Sequence, residues 1–245
     1  MGGWYGWRLV CVVALLALGC RVGLAQIGPR YVLELPAPRQ GGAAPERGSI
    51  ALGADGQATI RFHGLTVALA GPDGTLPPAG PAGEPADLAV LLPGPGLPQG
   101  AGPLPGAGAM PVVYPEPPAT PAGRDTTPPG AARHPMQAWD TLYLRKGQAR
   151  LRVTAMPGRP GTVATAGFML EIGTLHASCR IYVSGAVLAA GELGALPRRL
   201  PGAELALVPA GAGRGLSVLR RDGGRDRLVP VAAPDGHYAF TLLRR

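Results

Sequence analysis

A stretch that is very rich in glycine and proline limits what this chain can fold into. Between residues 71 and 135, 30 of the 65 positions are Gly or Pro. Proline removes a backbone donor and breaks helices, and glycine weakens both helices and strands. Within the stretch, only Asp87–Leu92 and Val112–Tyr114 have the apolar content of strands. We therefore expect an irregular, flexible insertion, with the ordered core built mainly from the segments on either side.

Those flanking segments read mostly as short β-strands. Before the insertion, residues 31–69 are strand-like, and His63-Gly64 has the composition of a hairpin turn. After it, leucines recur at helical spacing between Ala189 and Leu200, ahead of Pro201-Gly202, which predicts one helix. Many short strands with few helices indicate a sandwich-like architecture. The further predicted strands are Thr141–Leu144, Ala149–Ala155, Gly167–Ile172, Arg180–Val183, Leu205–Val208, Arg227–Val231 and Tyr238–Leu243.

The first 25 residues are typical of a secretory signal peptide. Arg8 precedes the apolar run Leu9–Leu18, and Gly23-Leu24-Ala25 places small residues at the −3 and −1 positions before Gln26. A competing pattern, Ala17-Leu18-Gly19-Cys20, resembles a lipoprotein cleavage site that would leave Cys20 acylated. We expect a periplasmic or secreted protein, with the lipoprotein as the alternative. No later stretch has the length of apolar sequence that a transmembrane helix needs.

Cysteine content and charge narrow the choice of partners. Cys11 and Cys20 belong to the signal segment, so Cys179 has no internal partner after cleavage and is interpreted as a small buried hydrophobe. The formal net charge is +8, but the arginines are scattered among apolar segments without interleaved aromatic residues. That pattern does not predict a nucleic-acid interface.

Six segments, in order, resemble the framework of the metallo-β-lactamase-fold hydrolases. The similarity is to the branch that contains the ascorbate-phosphate lactonase and the N-acyl-phosphatidylethanolamine phospholipase D type. The segments are Gly56–Leu69, Ala86–Leu92, Leu151–Arg159, Gly167–Glu171, Arg180–Gly185 and Leu228–Val231. The resemblance implies an α/β (α+β) fold, a reduced and strand-rich αββα sandwich. It divides the chain into signal peptide 1–25, an N-terminal extension 26–47 and a domain 48–245 that contains the insertion 71–135.

In that family, imidazole and carboxylate ligands hold two divalent metals that activate water. The resemblance places the ligand positions of this chain on residues that mostly offer a metal no side-chain lone pair. The His-x-His-x-Asp-His loop falls on Pro93, Pro95, Leu97 and Pro98. The remaining vacated positions are Gln57, Gly71, Pro160, Ala186, Pro209 and Ala232. The resemblance therefore implies a pseudoenzyme without catalytic residues, metal or cofactor.

Other constellations in the sequence are weak. None of His63, His134, His176 and His237 has metal-ligand spacing with another histidine, and each is interpreted as a surface or turn residue. Ser184, His237 and Asp235 supply the residue types of a nucleophile, base and orienting group, but the sequence gives no sign that they meet.

We therefore expect an exported, catalytically inactive protein that binds or scaffolds an unidentified protein or small molecule. Two alternatives stay open. One is a metal-dependent hydrolase of the same superfamily with an atypical site, and the other is an unrelated secreted β-rich binding protein.

Overall fold

A computed structural model describes residues 28–37, 46–53, 56–71, 74–78, 85–93, 110–116, 132–158, 165–210, 213–222, 225–231, 233 and 235–244. This part of the chain contains sixteen strands and one helix. The strands are β1 (Tyr31–Leu35), β2 (Arg47–Leu52), β3 (Ala58–Phe62), β4 (Leu65–Leu69), β5 (Leu88–Val90), β6 (Val112–Pro115), β7 (Arg133–Met136), β8 (Thr141–Lys146), β9 (Ala149–Pro157), β10 (Thr165–Gly173), β11 (Ala177–Ser184), β12 (Leu205–Ala210), β13 (Gly213–Asp222), β14 (Arg225–Pro230), β15 (His237–Thr241) and β16 (Leu243–Arg244). The helix, α1, spans Ala190–Arg199.

The larger sheet has nine strands in the order β1-β8-β9-β10-β11-β12-β13-β14, with β16 beside β11. Its middle is an antiparallel meander from β8 to β11, and the pairs β1–β8 and β11–β12 are parallel. Strand β1 comes from the segment 26–47, which the sequence separated as an extension. That segment also supplies Arg47, the first residue of β2.

The smaller sheet has seven strands in the order β15-β2-β3-β4-β5-β6-β7. Strands β3 and β4 form the expected hairpin, because Phe62 pairs with Leu65 across His63-Gly64. Both turn residues have positive φ, 46° and 76°, as a type I′ turn requires. From β4 to β7 every neighbouring pair is parallel, so the chain advances along the sheet by one strand each time. This progression gives the molecule its β-solenoid-like character.

The main core lies between the two sheets, because alternate residues of each strand point to the same face. Phe62 and Ile60 from the smaller sheet and Phe168 and Leu170 from the larger one belong to this cluster, and all four are buried. Cys179 is also buried there, as the sequence predicted.

Helix α1 covers part of the outer face of the larger sheet. Leu196 and Leu200 pack with Tyr182, Ala206 and Val208 of strands β11 and β12. The bounds agree with the helix predicted between Ala189 and Leu200. The described helix is too short and too polar to cross a membrane.

The expected αββα fold is wrong. An αββα sandwich needs helices on the outer faces of both sheets, whereas the described residues form a strand-rich, β-solenoid-like arrangement with one helix, on one sheet. Parallel neighbours are usually connected through crossover helices. Here the connections between β4 and β7 run through the Gly- and Pro-rich stretch, whose composition disfavours helix. The metallo-β-lactamase fold that the resemblance implied is therefore not the architecture of this chain.

Two short strands lie within residues 71–135, and a third, β7, begins there and ends at Met136. Strands β5 and β6 correspond to the two predicted strand segments, and β7 was not predicted because Pro135 sits in the middle of it. Proline is tolerated at the edge of a sheet, where its missing donor has no partner to lose, and β7 is the last strand of the smaller sheet. Much of the remaining stretch is outside the described residues.

Candidate functional site

A buried arginine joins the two sheets at one end of the core. Arg214 lies near the start of β13 and is 9% exposed. Its Nη1 donates to the carbonyl oxygen of Ser184 at 2.7 Å, and its Nη2 donates to that of Ala70 at 3.2 Å. Its Nε donates to the carbonyl oxygen of Gly56. Ser184 ends β11 of the larger sheet, whereas Gly56 and Ala70 flank β3 and β4 of the smaller one.

The local sequence explains why a guanidinium can reach this place. Arg214 pairs with Pro209 on β12, and its neighbours Gly213 and Gly215 add no side chains of their own. Leu216, two residues on, faces the core, so Arg214 points between the sheets. Burial lowers the pKa of Arg214 to about 10, because a charged group loses solvation in the interior.

The charge of Arg214 is balanced by backbone dipoles. Among the described residues no carboxylate forms an ion pair with Arg214, and its recorded partners are the three carbonyl oxygens. Hydrogen bonds from an ionised donor are stronger than neutral ones and satisfy carbonyls that the ends of strands leave unpaired. This arrangement is typical of a structural link between elements.

Two loops beside Arg214 are connected to each other. The backbone N–H of Gly71 donates to the carbonyl oxygen of Thr75 at 2.8 Å. The side-chain amide of Gln57 donates to the hydroxyl of Thr75 at 2.9 Å. Gln57 and Gly71 directly follow Gly56 and Ala70, whose carbonyls accept from Arg214.

A third loop approaches the same end of the core. The hydroxyl of Ser184 donates to the carbonyl oxygen of Ala186 at 2.9 Å and closes a tight turn. A Cβ atom on Gly185 would lie 2.1 Å from the carbonyl oxygen of Pro93, so the turn after β11 and the end of the segment after β5 are in close contact. Only glycine allows that approach.

The structure therefore brings together five of the positions that the resemblance assigned as vacated ligands. Gln57 and Gly71 directly follow residues that accept from Arg214, and Ala186 lies two residues after Ser184, which also accepts from it. Pro209 pairs with Arg214 itself, and Pro93 packs on Gly185. The other five fall outside the described residues: Pro95, Leu97, Pro98, Pro160 and Ala232. We name the group formed by Arg214, Gly56-Gln57, Ala70-Gly71, Ser184–Ala186 and Pro209 the Arg214 cluster.

Sequence reasoning missed Arg214 itself. The signal was present, because a single arginine between two glycines opens a strand that is otherwise apolar up to Leu219 apart from Ser217. A charge in that position has to be buried against polar partners or turned outward. The choice between these two outcomes depends on strand register, which the sequence alone does not reveal.

The structure does not assemble the candidate catalytic residues. Ser184 is fully buried and its hydroxyl is used within its own turn. His237 is exposed and belongs to β15 of the other sheet, where it pairs with Ala51. Asp235 precedes it in a turn.

The four histidines are also dispersed. His63 lies in the β3–β4 turn and His176 is exposed between β10 and β11. His134 differs from the expected surface position, because it is buried in β7 with its ring 4.7 Å from that of Tyr31. In the described ranges, no three His, Cys, Asp or Glu side chains form a group that could hold a metal ion.

Comparison with known proteins adds no family assignment: neither the protein-family models nor the curated proteins give a match to this chain.

Proposed function

We propose that this chain is an exported, non-catalytic protein with a binding or scaffolding role. The observation that carries the proposal is the Arg214 cluster. The five described positions at which the resemblance would require metal ligands lie around a guanidinium that donates to three backbone carbonyls. The cluster supports a structural task, namely holding the ends of two sheets together.

Electrostatics supports the same proposal. Two positive charges in a poorly solvated space repel strongly, so the guanidinium disfavours a divalent cation at the same place. The described positions around it carry Gln57, Gly71, Ala186 and Pro209, which offer a metal no imidazole or carboxylate. Activation of water by a metal would require ligands of those kinds.

The ancestry of the chain is a separate part of the proposal. The order of the six resembling segments is what supports a distant relation to the metal-dependent hydrolases. The strand-rich fold favours the alternative, an unrelated secreted β-rich binding protein. Both accounts lead to a protein that works by binding, and they differ only in its origin.

Elemental analysis of the purified mature protein after dialysis tests the non-catalytic role. We expect no stoichiometric zinc, iron or manganese, and a melting temperature that added zinc does not raise, because a metal that binds only the folded state would stabilise it. One or two ions per chain, removed by a chelator with a fall in the melting temperature, would overturn the proposal in favour of the atypical hydrolase.

A further inference from the structure

Helix α1 leaves part of the outer face of the larger sheet uncovered, and a groove of about 380 Å³ lies there. It runs across β1, β8, β9 and β10 and is bounded by the turn that contains Leu175. The volume falls within the range of about 300–1,000 Å³ typical of small-molecule sites. The groove is formed by a different face of the larger sheet from the one that carries Arg214.

The floor of this groove carries unpaired positive charge. Arg150 and Arg152 occupy successive outward positions on β9. The two acids nearby are already engaged: Glu34 lies 3.9 Å from Arg145, and Glu171 lies 3.3 Å from Arg180. Neither Arg150 nor Arg152 forms an ion pair with any described residue. An anion entering the groove would therefore meet two available guanidinium groups.

Arg152 is held in place by an aromatic ring, while one of its nitrogen atoms has no hydrogen-bond partner among the described residues. Its guanidinium lies 5.7 Å from the centre of the Tyr143 ring, a cation–π contact that orients it. Its Nε is buried and has no hydrogen-bond partner within the described part of the protein. Buried donors are rarely left unpaired, so the Arg152 side chain has hydrogen-bonding capacity that no described residue uses.

The rim of the groove is apolar. Val32, Tyr143 and Leu175 line it and are 65%, 41% and 65% exposed. Large hydrophobic side chains that cluster on an otherwise polar surface mark contact sites. A ligand that satisfies both parts of the groove has an anionic head and an apolar group.

We propose that this groove binds a small organic anion, in which a phosphate or carboxylate lies on Arg150 and Arg152 and an apolar group packs on Val32, Tyr143 and Leu175. The planar guanidinium matches both oxyanions through paired hydrogen bonds. The proposal deepens the binding role proposed above and rests on it, since it gives that role a ligand class.

Calorimetric titration of the full mature protein tests this, with phenyl phosphate, phenylacetate, inorganic phosphate and phenol as probes. We expect one of the two aromatic anions to bind at least about tenfold more tightly than inorganic phosphate or phenol, because only those anions use both parts of the groove. The tighter aromatic anion identifies the head group, phosphate or carboxylate.

Variants locate the binding. Arg152→Met should weaken it by about tenfold or more, and Arg150→Met, at an exposed position, serves as a second variant that leaves the packing of Tyr143 intact. Arg198→Met, on the exposed side of α1, should stay within about twofold of the parent and is the control. Equal binding of all four probes, or binding that both groove variants leave unchanged, would overturn the proposal. Metal found in the mature protein would overturn the non-catalytic role and leave this result standing.

Discussion

The guanidinium of Arg214 donates to the carbonyl oxygen of Ser184 at 2.7 Å and thereby ties the end of β11 to the loops that flank β3 and β4. At this end of the core a single side chain thus bridges the two sheets, as Lys146 and Tyr31 do elsewhere through Asp87 and the carbonyl oxygen of Pro135. The polar atoms that Arg214 contacts are backbone carbonyls, and a cation with several donors is the side chain that satisfies three of them at once. The local chemistry is therefore that of a structural link.

The contact between the Ser184–Ala186 turn and Pro93 gives a prediction for Gly185. Gly185→Ala should destabilise the protein by about 2 kcal/mol or more, because the added Cβ would lie 2.1 Å from a backbone oxygen that has little room to move. Chemical denaturation of both proteins measures the difference.

Gly194→Ala is the matched control. Gly194 lies inside α1 with nothing within 4 Å of an added Cβ, so the substitution should stabilise the protein by about 0.5–1 kcal/mol through helix propensity. If Gly185→Ala were as well tolerated as Gly194→Ala, the turn and Pro93 would not be in contact.

A second prediction concerns pH. His134 is 9% exposed, and neither ring nitrogen has a partner among the described residues. Burial lowers the pKa of His134 below its ordinary value of 6.5. The unfolded chain then binds the proton more readily than the folded one, so stability is full above about pH 6.5 and falls as the pH drops from there towards the folded-state pKa.

The surroundings of His134 set the design of that test. Tyr31 packs against its ring, and Arg30, which lies over Tyr31, is paired with Glu116 at 2.9 Å and Asp140 at 2.5 Å. His134→Phe keeps the aromatic contact and removes the titrating group. In urea unfolding between pH 8 and pH 5, its stability should fall less than that of the parent.

His176→Phe, at an exposed position, is the control for this series and should keep the pH dependence of the parent. A parent and a His134→Phe variant with parallel pH profiles would show that His134 does not titrate in this range.

Much of the strand content could be predicted from the sequence, but the assembly could not. Alternating apolar residues indicated β3, β4 and the meander, and His63-Gly64 indicated the hairpin, because these signals are local. The helices of the expected fold were inferred from resemblance alone, against a composition in residues 71–135 that disfavours them. Strand β7 was missed because a proline within a strand is informative only when the neighbours of that strand are known.

The candidate site was predicted only in part. The resemblance assigned ten positions as vacated ligands, and five of them, Gln57, Gly71, Pro93, Ala186 and Pro209, lie among the described residues at one end of the core. What occupies the space between them is decided by the register of β12 and β13, which pairs Arg214 with Pro209. Register depends on long-range pairing, so a sequence motif cannot reveal which side chain faces inward there.

The proposed export leads to a prediction about the first residue of the mature protein. Residues 1–27 are outside the described part of the structure, and the expectation rests on Gly23-Leu24-Ala25. N-terminal sequencing of protein recovered from outside the cytoplasm should begin at Gln26. An acylated Cys20 as first residue would identify the lipoprotein alternative, and a chain that retains Met1 would contradict export.

The most direct test of the account is the free energy of unfolding of Arg214→Met. Methionine keeps much of the apolar stem but removes the donors, which leaves the carbonyl oxygens of Gly56, Ala70 and Ser184 without this partner. We expect a loss of about 2–4 kcal/mol, because unsatisfied buried polar groups cost about 1–3 kcal/mol each and relaxation recovers part of this.

Arg145→Met serves as the reference, since Arg145 is exposed and forms only a 3.9 Å pair with the exposed Glu34. Its unfolding free energy should lie within about 0.5 kcal/mol of the parent. The account predicts that Arg214→Met greatly lowers the free energy of unfolding and that Arg145→Met leaves it unchanged. Equal stabilities for the two variants would contradict it, because Arg214 would then not hold the two sheets together.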